Sequence, residues 1–304
     1  MQTSIDVKLT EYDLKLIEKD YDRISVLIDD TKKLNRVCRR INKLTKGAVV
    51  RAINSDEYEK KSCGEVLSIS FPGSITAKYI DLVKWVKPGQ LHDARKAGVN
   101  LAKLSGDSSV LIYIGSQKFS ADFIKGYLLR QYSFSEYKTS KITKSRSATL
   151  MLNKPLDFKK SLEEIKATVD GVFFTRDLVN EPANILTTVE FSKRLQKLST
   201  LGIEVEVLEE KQLSDLGMNA LLGVGQGSAN PSKVVVMSWK GGAKTVQPLA
   251  LVGKGVVFDT GGISLKPAGG MEEMTMDMGG AGVVAGTMLA LAKRKAKALS
   301  LIHI

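Results

Sequence analysis

The sequence predicts an α/β protein with two packed domains. The chain has 304 residues, of which 43% are hydrophobic, and this is enough for two domains of roughly 100 to 200 residues each. Short β-type runs alternate with helical patterns in two series, one ending near Leu152 and one beginning after Pro182. Such alternation favours largely parallel sheets covered by helices.

The first series contains three predicted strands and two predicted helices. Short runs of apolar and β-branched residues predict strands at Ile24–Ile28, Glu65–Phe71 and Ser109–Ile114. Apolar residues recur at helical spacing in Leu91–Leu104 and Ala121–Phe134. We therefore expect an α/β domain in this part of the chain.

A basic stretch and a long helix follow this domain. The stretch Ser135–Ser147 has no long apolar run and is predicted to cross the surface. A helical pattern then runs from Leu156 to Leu178, and Ser161-Leu-Glu-Glu predicts a capped start inside it. This helix is predicted to connect the two domains, which gives the divisions 1–155, 156–182 and 183–304.

The second series begins with a helical pattern at Phe191–Leu201. Ile203–Leu208 alternates at period two, and Val234–Trp239 and Pro248–Gly253 are apolar enough for buried strands. A final helix is predicted over Gly282–Ala298. The second domain is thus also predicted to be α/β.

Positive charge is concentrated near the start of the chain. The formal net charge is +12, and Lys32–Arg51 carries eight Lys and Arg residues but no acidic residue. Apolar residues recur there at helical spacing, at Leu34, Val37, Ile41 and Leu44. This predicts one amphipathic helix with a basic outer side, and a solvated helix face is favoured over contact with nucleic acid. Aromatic residues make up only 6% of the chain, which argues against a single-strand stacking platform.

Few residues are available for thiol or imidazole chemistry. The chain contains two cysteines and two histidines, which are Cys38, Cys63, His92 and His303. The cysteines lack metal-ligand spacing and are interpreted as free thiols, and a histidine-rich zinc site or a Ser-His-Asp triad is disfavoured. Any metal site must therefore depend on carboxylates.

The start of the chain does not resemble a targeting segment. Met1–Asp20 alternates charged with apolar residues, and no run of about 18 uninterrupted apolar residues occurs in the chain. These features favour a cytoplasmic protein that does not span a membrane.

Candidate chemistry is concentrated in Leu251–Gly280, LVGKGVVFDTGGISLKPAGGMEEMTMDMGG. Apolar runs lead into Lys254 and Asp259, and the pair Gly261-Gly262 follows where a tight turn is needed. Open α/β sheets hold ligands at the ends of their strands. A ligand site is therefore predicted in this segment.

Lys254 and Lys266 both lie among apolar residues and glycines. A charged lysine in such surroundings is costly to bury unless it is paired or deprotonated. A divalent cation would favour a neutral amine ligand from one lysine, with Asp259 and Asp277 as oxygen ligands. The other lysine would stay protonated and stabilise a developing oxyanion. Three other interpretations remain open: a salt bridge between Lys254 and Asp259, an ordinary loop position for Lys266, and an N-cap role for Asp277.

The motif VGKGVVFDTGGISLKP and the following MDMGGAG resemble motifs of the leucyl aminopeptidase family of M17 type. Members of this family are exopeptidases that use two metal ions and form hexamers. Supporting stretches are RDLVNEPAN at Arg176–Asn184, Gly217–Trp239 and, more weakly, Lys125–Thr139. The resemblance covers Lys125–Ala298. It implies a macro-domain-like N-terminal domain followed by a metallopeptidase domain.

The resemblance also implies roles for four residues. Lys254 and Asp277 would bind one metal, Asp259 would be shared by two metals, and Lys266 would be the catalytic lysine that polarises the scissile carbonyl. The cofactors would be two divalent ions, Mn²⁺ or Zn²⁺, which activate a water molecule and hold the amino terminus of a peptide. The implied reaction is release of N-terminal amino acids from peptides, with a preference for large apolar ones.

One expected motif is absent from these 304 residues. Family members carry a second ligand motif of the form NTDAEGR, which supplies an aspartate, a glutamate and a catalytic arginine. We therefore expect a truncated chain that is inactive alone, with a stub strand at LSLIHI that leaves an unpaired sheet edge. Two alternatives stay open: a nucleic-acid or nucleotide-binding module, and an inactive subunit of an aminopeptidase hexamer.

Overall fold

A computed structural model describes residues 5–86, 89–115, 119–139, 147–243, 245 and 247–303. Contacts divide the chain into two compact units, Ser4–Lys166 and Ala167–Ile304. The division falls inside helix α6, which spans Pro155–Asn180. The three-part division at 1–155, 156–182 and 183–304 therefore stays a prediction.

The first unit is built on a sheet of six described strands with the order β1-β6-β5-β2-β4-β3. Every neighbouring pair is parallel except β3 and β4. The α/β class and the largely parallel sheet are confirmed. The strands are β1 (Asp6–Glu11), β2 (Arg23–Asp29), β3 (Val66–Ser70), β4 (Tyr79–Trp85), β5 (Ser109–Gly115) and β6 (Ser147–Leu152).

Strands β1, β4 and β6 were missed by the sequence prediction, and β4 shows a physical reason. It contains Asp81, which is fully buried and receives hydrogen bonds from Arg23 Nε and Nη2 at 2.9 and 2.7 Å. The hydroxyls of Ser25 and Ser68 donate to the same carboxylate at 3.2 and 2.6 Å. A paired and fully hydrogen-bonded charge can lie in a core strand, although it interrupts the apolar pattern.

The basic segment Lys32–Arg51 forms two helices, so the single predicted helix was wrong in extent. Helix α1 spans Arg36–Leu44 and helix α2 spans Ala48–Ile53. They are separated by Lys46 and Gly47, whose φ angles of 50° and 85° are left-handed and incompatible with a continuous helix. The predicted apolar inner side of α1 is buried, and its outer side is basic as predicted.

The remaining helices of this unit are α3 (Asp56–Glu59), α4 (Leu91–Ser105), α5 (Ser120–Arg130) and the first half of α6. Helices α4, α5 and α6 were predicted, α5 ends at Arg130 rather than Phe134, and α3 and a 3₁₀ helix at Leu14–Glu18 were missed. Helix α6 begins at Pro155 rather than at the predicted capped start Ser161, because proline is well suited to the first helical position. Part of the predicted surface stretch Ser135–Ser147, residues 140–146, lies outside the described residues.

The second unit contains a sheet of four described strands in the order β7-β8-β10-β9. Strand β10 pairs antiparallel with β8 and parallel with β9. The elements are β7 (Glu204–Leu208), β8 (Val234–Lys240), β9 (Leu249–Val252), β10 (Leu299–His303), α7 (Thr188–Gln196), α8 (Glu210–Asp215), α9 (Asn219–Gly225) and α10 (Gly279–Lys293), with 3₁₀ helices at Lys197–Leu201 and Met271–Met278.

The tail forms a strand as predicted, but this strand is not itself at the edge of the described sheet. Strand β10 lies between β8 and β9 and pairs on both sides. The outer position belongs instead to β9, which is not the buried strand that its apolar sequence predicted. Leu249 and Val252 are 65% and 80% exposed. The described sheet thus leaves apolar surface open along β9.

Helices α6 and α10 cross where Gly171 and Gly286 leave no room for a Cβ atom at either position. A Cβ atom on Gly286 would lie 2.2 Å from Thr175 Oγ1 and 2.4 Å from the Gly171 carbonyl oxygen. Thr175 Oγ1 donates to the Gly282 carbonyl oxygen at 2.9 Å, which adds a polar bond to the crossing. Among the described residues, the segment Met271–Lys293 is long and apolar enough to cross a membrane by length and composition alone, a test that core helices of soluble proteins also pass, and 44% of its apolar window is buried.

Replacing Gly286 with alanine is expected to lower the free energy of unfolding by about 1–3 kcal/mol, because the added methyl group overlaps backbone atoms. The control Gly279→Ala adds a methyl group in the same helix where no atom lies within 4 Å. This control should be neutral or stabilise by up to about 1 kcal/mol. Urea denaturation measures both, and equal stability of the two variants would contradict the tight crossing.

The carboxylate of Asp22 is held by contacts with Lys78 and Ser109 that bear on the stability of the first unit. Its Oδ1 atom lies 2.7 Å from Lys78 Nζ, and the backbone N–H and hydroxyl of Ser109 both donate to Oδ2 at 3.0 Å. These contacts, led by the hydrogen bond from Lys78, lower the pKa of Asp22 from 3.8 to about 2. The charged carboxylate therefore favours the folded state.

Asp22→Asn is expected to destabilise the protein by about 1 kcal/mol at neutral pH, a value reduced for partial solvent exposure. Because the folded pKa lies below the unfolded pKa, this contribution is present above about pH 4 and is lost as the pH falls towards 2. Urea denaturation of the wild-type protein and of Asp22→Asn should show that the difference in their free energies of unfolding shrinks as the pH falls through this range. The control is Asp6→Asn, because Asp6 forms only an exposed pair with Lys8, whose Nζ lies 3.8 Å away. A stability loss in Asp22→Asn that stayed the same across this pH range would contradict a stabilising role for the Asp22 carboxylate.

Candidate metal centre

The candidate site begins where strand β9 meets the first turn of helix α10. The N–H of Ala281 donates to the Lys254 carbonyl oxygen at 2.9 Å. A Cβ atom on Gly253 would lie 2.6 Å from both Ala281 N and the Gly280 carbonyl oxygen. Glycine at this position therefore allows the backbone before Lys254 to lie directly against the helix.

The loop after Asp259 folds back on itself through two hydrogen bonds. Gly261 N–H donates to Asp259 Oδ1 at 2.9 Å, and Lys266 N–H donates to the Thr260 carbonyl oxygen at 2.9 Å. Gly261 has a φ of 89°, and a Cβ atom there would lie 2.3 Å from the Ser264 carbonyl oxygen. The predicted tight turn is present and returns Lys266 to the side chain of Asp259.

The structure brings the four predicted site residues together as two ion pairs. Lys254 Nζ lies 2.8 Å from Asp277 Oδ2, and Lys266 Nζ lies 2.9 Å from Asp259 Oδ2. The charge of Lys254 also acts on Asp259, so the two pairs are neighbours. The site therefore holds two positive and two negative groups in one small region.

The observed contacts differ from the three other interpretations of these residues. Lys254 contacts Asp277 and not Asp259, so the proposed Lys254–Asp259 salt bridge was wrong. Lys266 is paired with a carboxylate and is not an unpartnered loop lysine. Asp277 is not the N-cap of α10, because Met278 occupies that position and no side chain caps it.

The ion pairs shift the pKa values of two site residues. The hydrogen bond from Lys266, followed by that from the Gly261 N–H, lowers the pKa of Asp259. Contact with the Asp277 carboxylate raises the pKa of Lys254, so the lysine is a charged ammonium group in this arrangement. The neutral amine predicted for Lys254 would require a divalent cation to replace this ion pair.

Lys266 has a second neighbour that the sequence did not indicate. Its Nζ atom lies 3.3 Å from the thioether sulfur of Met274, in the 3₁₀ helix before α10. About a third of the Lys266 side chain is exposed. No sequence pattern marks this contact, because a methionine near a helix is usually interpreted as core.

The donor atoms fit part of the coordination sphere of a divalent cation. Asp259 and Asp277 supply hard oxygen atoms, and Lys254 supplies an amine. Asp277 Oδ2 is buried and, although it lies close to Lys254, no donor meets it at hydrogen-bond angles. Among the described residues, no three His, Cys, Asp or Glu side chains cluster at a single point. These residues therefore fit a cation but do not complete its ligand set.

Comparison with known proteins gives the family of this site. Residues 173–304 match the family model described as the cytosol aminopeptidase family, catalytic domain. These residues belong to the cytosol aminopeptidase family. The predicted family is therefore confirmed, and Lys254, Asp259, Lys266 and Asp277 all lie within the matched part of the chain.

Two relatives support this membership. The chain is 49% identical over 286 residues to a probable cytosol aminopeptidase of Dinoroseobacter shibae, and the match covers 94% of the chain and 58% of the relative. It is 45% identical over 298 residues to a probable cytosol aminopeptidase of Cereibacter sphaeroides, with coverage of 98% and 61%. The chain thus spans about three fifths of the length of these aminopeptidases.

Solved structures show a similar fold. A tomato leucine aminopeptidase variant has a TM-score of 0.78 at 22% identity, and the match covers 99% of this chain and 62% of that one. The bottromycin maturation enzyme BotP has a TM-score of 0.71 at 25% identity, with coverage of 93% and 59%. The α/β architecture of this chain is therefore similar to that of a solved leucine aminopeptidase, which agrees with the family match.

Proposed function

We propose that this chain contributes the Lys254–Asp277 segment to a metal-dependent aminopeptidase that releases N-terminal amino acids from peptides. The proposal rests on two neighbouring ion pairs, Lys254–Asp277 and Lys266–Asp259, which lie at the turn after Asp259 and at the start of α10. Membership of the cytosol aminopeptidase family supports it. The names of the relatives in Dinoroseobacter shibae and Cereibacter sphaeroides agree with it.

Each of the four side chains has a proposed role. Asp277 and Lys254 would hold one cation, and Asp259 would be shared between two. A bound divalent cation supplies Lewis-acid polarisation and makes water a nucleophile near neutral pH. Lys266 remains an ammonium group and stabilises the negative charge that develops on the scissile carbonyl oxygen. Asp259 holds Lys266 in position for this role, since the two are ion-paired at 2.9 Å.

The cofactors that we propose are two Mn²⁺ or Zn²⁺ ions. A structure of BotP described as a complex with Mn has the same fold, with a TM-score of 0.72. We also propose peptide substrates, a cytoplasmic location and assembly into a homo-hexamer. The family description as cytosol aminopeptidases supports the location, and the hexamer follows from resemblance to the family.

We further propose that these 304 residues alone are inactive or nearly so. The described part of the chain brings together two carboxylates and one amine for metal binding. The sequence contains no NTDAEGR-like stretch to add an aspartate, a glutamate and an arginine. A single partly liganded cation would not support the two-metal reaction.

Metal binding can be tested without activity by titrating the 304-residue polypeptide with MnCl₂ in a calorimeter. Asp277→Asn is expected to weaken binding by at least about tenfold, because it removes a charged ligand. The control Glu273→Gln removes a nearby exposed carboxylate outside the ion pairs and should leave the affinity within about twofold. Equal weakening by both variants, or no saturable binding, would oppose the assigned ligands.

The proposed reaction can be tested by extending the chain. We expect no metal-dependent release of p-nitroaniline from leucine p-nitroanilide by the 304-residue polypeptide. A chimera that adds the part of the Dinoroseobacter shibae relative not covered by this chain should be active with Mn²⁺. Lys266→Ala in the chimera should lower kcat by at least about a hundredfold, the loss typical for one oxyanion-stabilising group.

The two outcomes of this experiment separate two claims. Activity of the 304 residues alone at a rate like that of the chimera would contradict the need for additional ligands. A folded chimera that binds Mn²⁺ but releases no product would contradict the proposed aminopeptidase function.

A further inference from the structure

The thioether of Met274 lies against the ammonium group of Lys266. Lys266 Nζ is 3.3 Å from Met274 Sδ and 2.9 Å from Asp259 Oδ2, so the lysine has a sulfur atom and a carboxylate as neighbours. A thioether is only a weak hydrogen-bond acceptor, whereas a carboxylate forms a charge-assisted bond. Lys266 is therefore held mainly by Asp259, and Met274 is a second acceptor within reach.

Hydrogen bonds fix the backbone on both sides of this contact. Lys266 N–H donates to the Thr260 carbonyl oxygen at 2.9 Å. At the start of the 3₁₀ helix that carries Met274, Glu273 N–H donates to the Gly270 carbonyl oxygen at 3.1 Å. The position of the Lys266 ammonium group therefore depends on which side-chain acceptor holds it more strongly.

Met274 differs from the other methionines of the described residues. Four methionines have no exposed surface and are shielded from aqueous oxidants: Met151, Met237, Met278 and Met288. The others have exposed surface, and Met274 is among these. In the described part of the chain, only the sulfur of Met274 accepts a hydrogen bond from a charged group. Met274 thus combines access from solvent with contact to a lysine of the candidate site.

We propose that hydrogen peroxide oxidises Met274 to the sulfoxide and that the sulfoxide oxygen then binds the Lys266 ammonium group. A sulfur lone pair attacks one peroxide oxygen, and the S–O bond forms as the O–O bond breaks. The departing hydroxide takes the proton of the transferred oxygen, so the products are one sulfoxide and one water. Sulfur loses two electrons and peroxide gains them. Methionine sulfoxide reductases reverse this change.

The oxidised side chain competes with Asp259 for Lys266. Oxidation replaces an apolar thioether with a polar group whose oxygen accepts hydrogen bonds, and a bond from an ammonium group to this oxygen is charge-assisted. The rotatable bonds of methionine allow the S–O group to turn towards Lys266 Nζ. Under the proposed aminopeptidase function, on which this step rests, a lysine held by the sulfoxide no longer stabilises the developing oxyanion. Peroxide therefore lowers activity without removing a metal ligand.

The first experiment treats the 304-residue polypeptide with hydrogen peroxide and measures the sulfoxide at each methionine by peptide mass spectrometry. Met276 is 51% exposed and shows that the oxidant acts, whereas Met278 is fully buried. Met274 should be oxidised at least about tenfold faster than Met278, because susceptibility follows exposure. Oxidation of Met274 as slow as that of Met278 would overturn the proposal.

The second experiment detects the contact between oxidised Met274 and Lys266 without measuring activity. Acetylation by a water-soluble N-hydroxysuccinimide ester is followed at Lys266 and Lys254 by mass spectrometry. After peroxide, acetylation of Lys266 should slow by at least about threefold, because an ammonium group bonded to the sulfoxide oxygen is less available as a free amine. Lys254 pairs with Asp277 instead and is the internal reference. Equal slowing at Lys266 in Met274→Leu would contradict the proposed contact.

The third experiment uses the chimera completed with the part of the Dinoroseobacter shibae relative. Peroxide should lower its kcat by at least about tenfold, which is part of the loss expected when one oxyanion-stabilising group is removed. Methionine sulfoxide reductases should restore the activity. The Met274→Leu chimera should keep its own untreated kcat, whereas the control Met276→Leu should lose activity as the unsubstituted chimera does.

Two outcomes of the third experiment have different meanings. Both cysteines remain in these variants, so equal loss of activity in Met274→Leu and in Met276→Leu would assign the loss to other groups and overturn the regulatory step. A chimera without activity before oxidation would instead contradict the proposed aminopeptidase function. The acetylation of Lys266 would in that case still decide whether oxidised Met274 binds this lysine.

Discussion

The close backbone contact between Gly253–Lys254 and the first turn of α10 determines the geometry of the candidate site. A hydrogen bond from Ala281 N to the Lys254 carbonyl oxygen joins the strand end to the helix. Any side chain at position 253 would push these segments apart. Because Asp277 lies just before α10, the same contact places its carboxylate beside Lys254. The loop from Asp259 then needs only one left-handed turn to add the second ion pair.

The site also balances its charges in a way that bears on cation binding. Two ammonium groups neutralise two carboxylates, so the arrangement is stable without a cation. Asp277 Oδ2 nevertheless stays buried without a hydrogen bond of good geometry. A divalent cation would satisfy that oxygen but must compete with Lys254 for it. The affinity of the site therefore depends on how readily Lys254 leaves Asp277, and further carboxylates would shift this competition towards the cation.

The sequence singled out the four residues that the structure brings together, but it did not indicate which of them contact one another. Lys254 and Asp259 stand out because apolar runs end at charged residues, and Gly261-Gly262 marks the turn between them and Lys266. The actual partners depend on how β9 meets α10, which no local pattern records. The same limit explains the missed strand β4, because Asp81 becomes acceptable in a core only when Arg23 from another strand reaches it. The break at Lys46–Gly47 was missed because the helical spacing continues across it.

The central claim is that Lys254, Asp259 and Asp277 together bind a divalent cation. The most direct measurement is an anomalous difference map from crystals of this protein soaked in MnCl₂. The account predicts a manganese peak in contact with both carboxylates and Lys254 Nζ, with the Lys254–Asp277 ion pair replaced. A map from crystals saturated with manganese that shows both ion pairs intact and no peak between these side chains would contradict it.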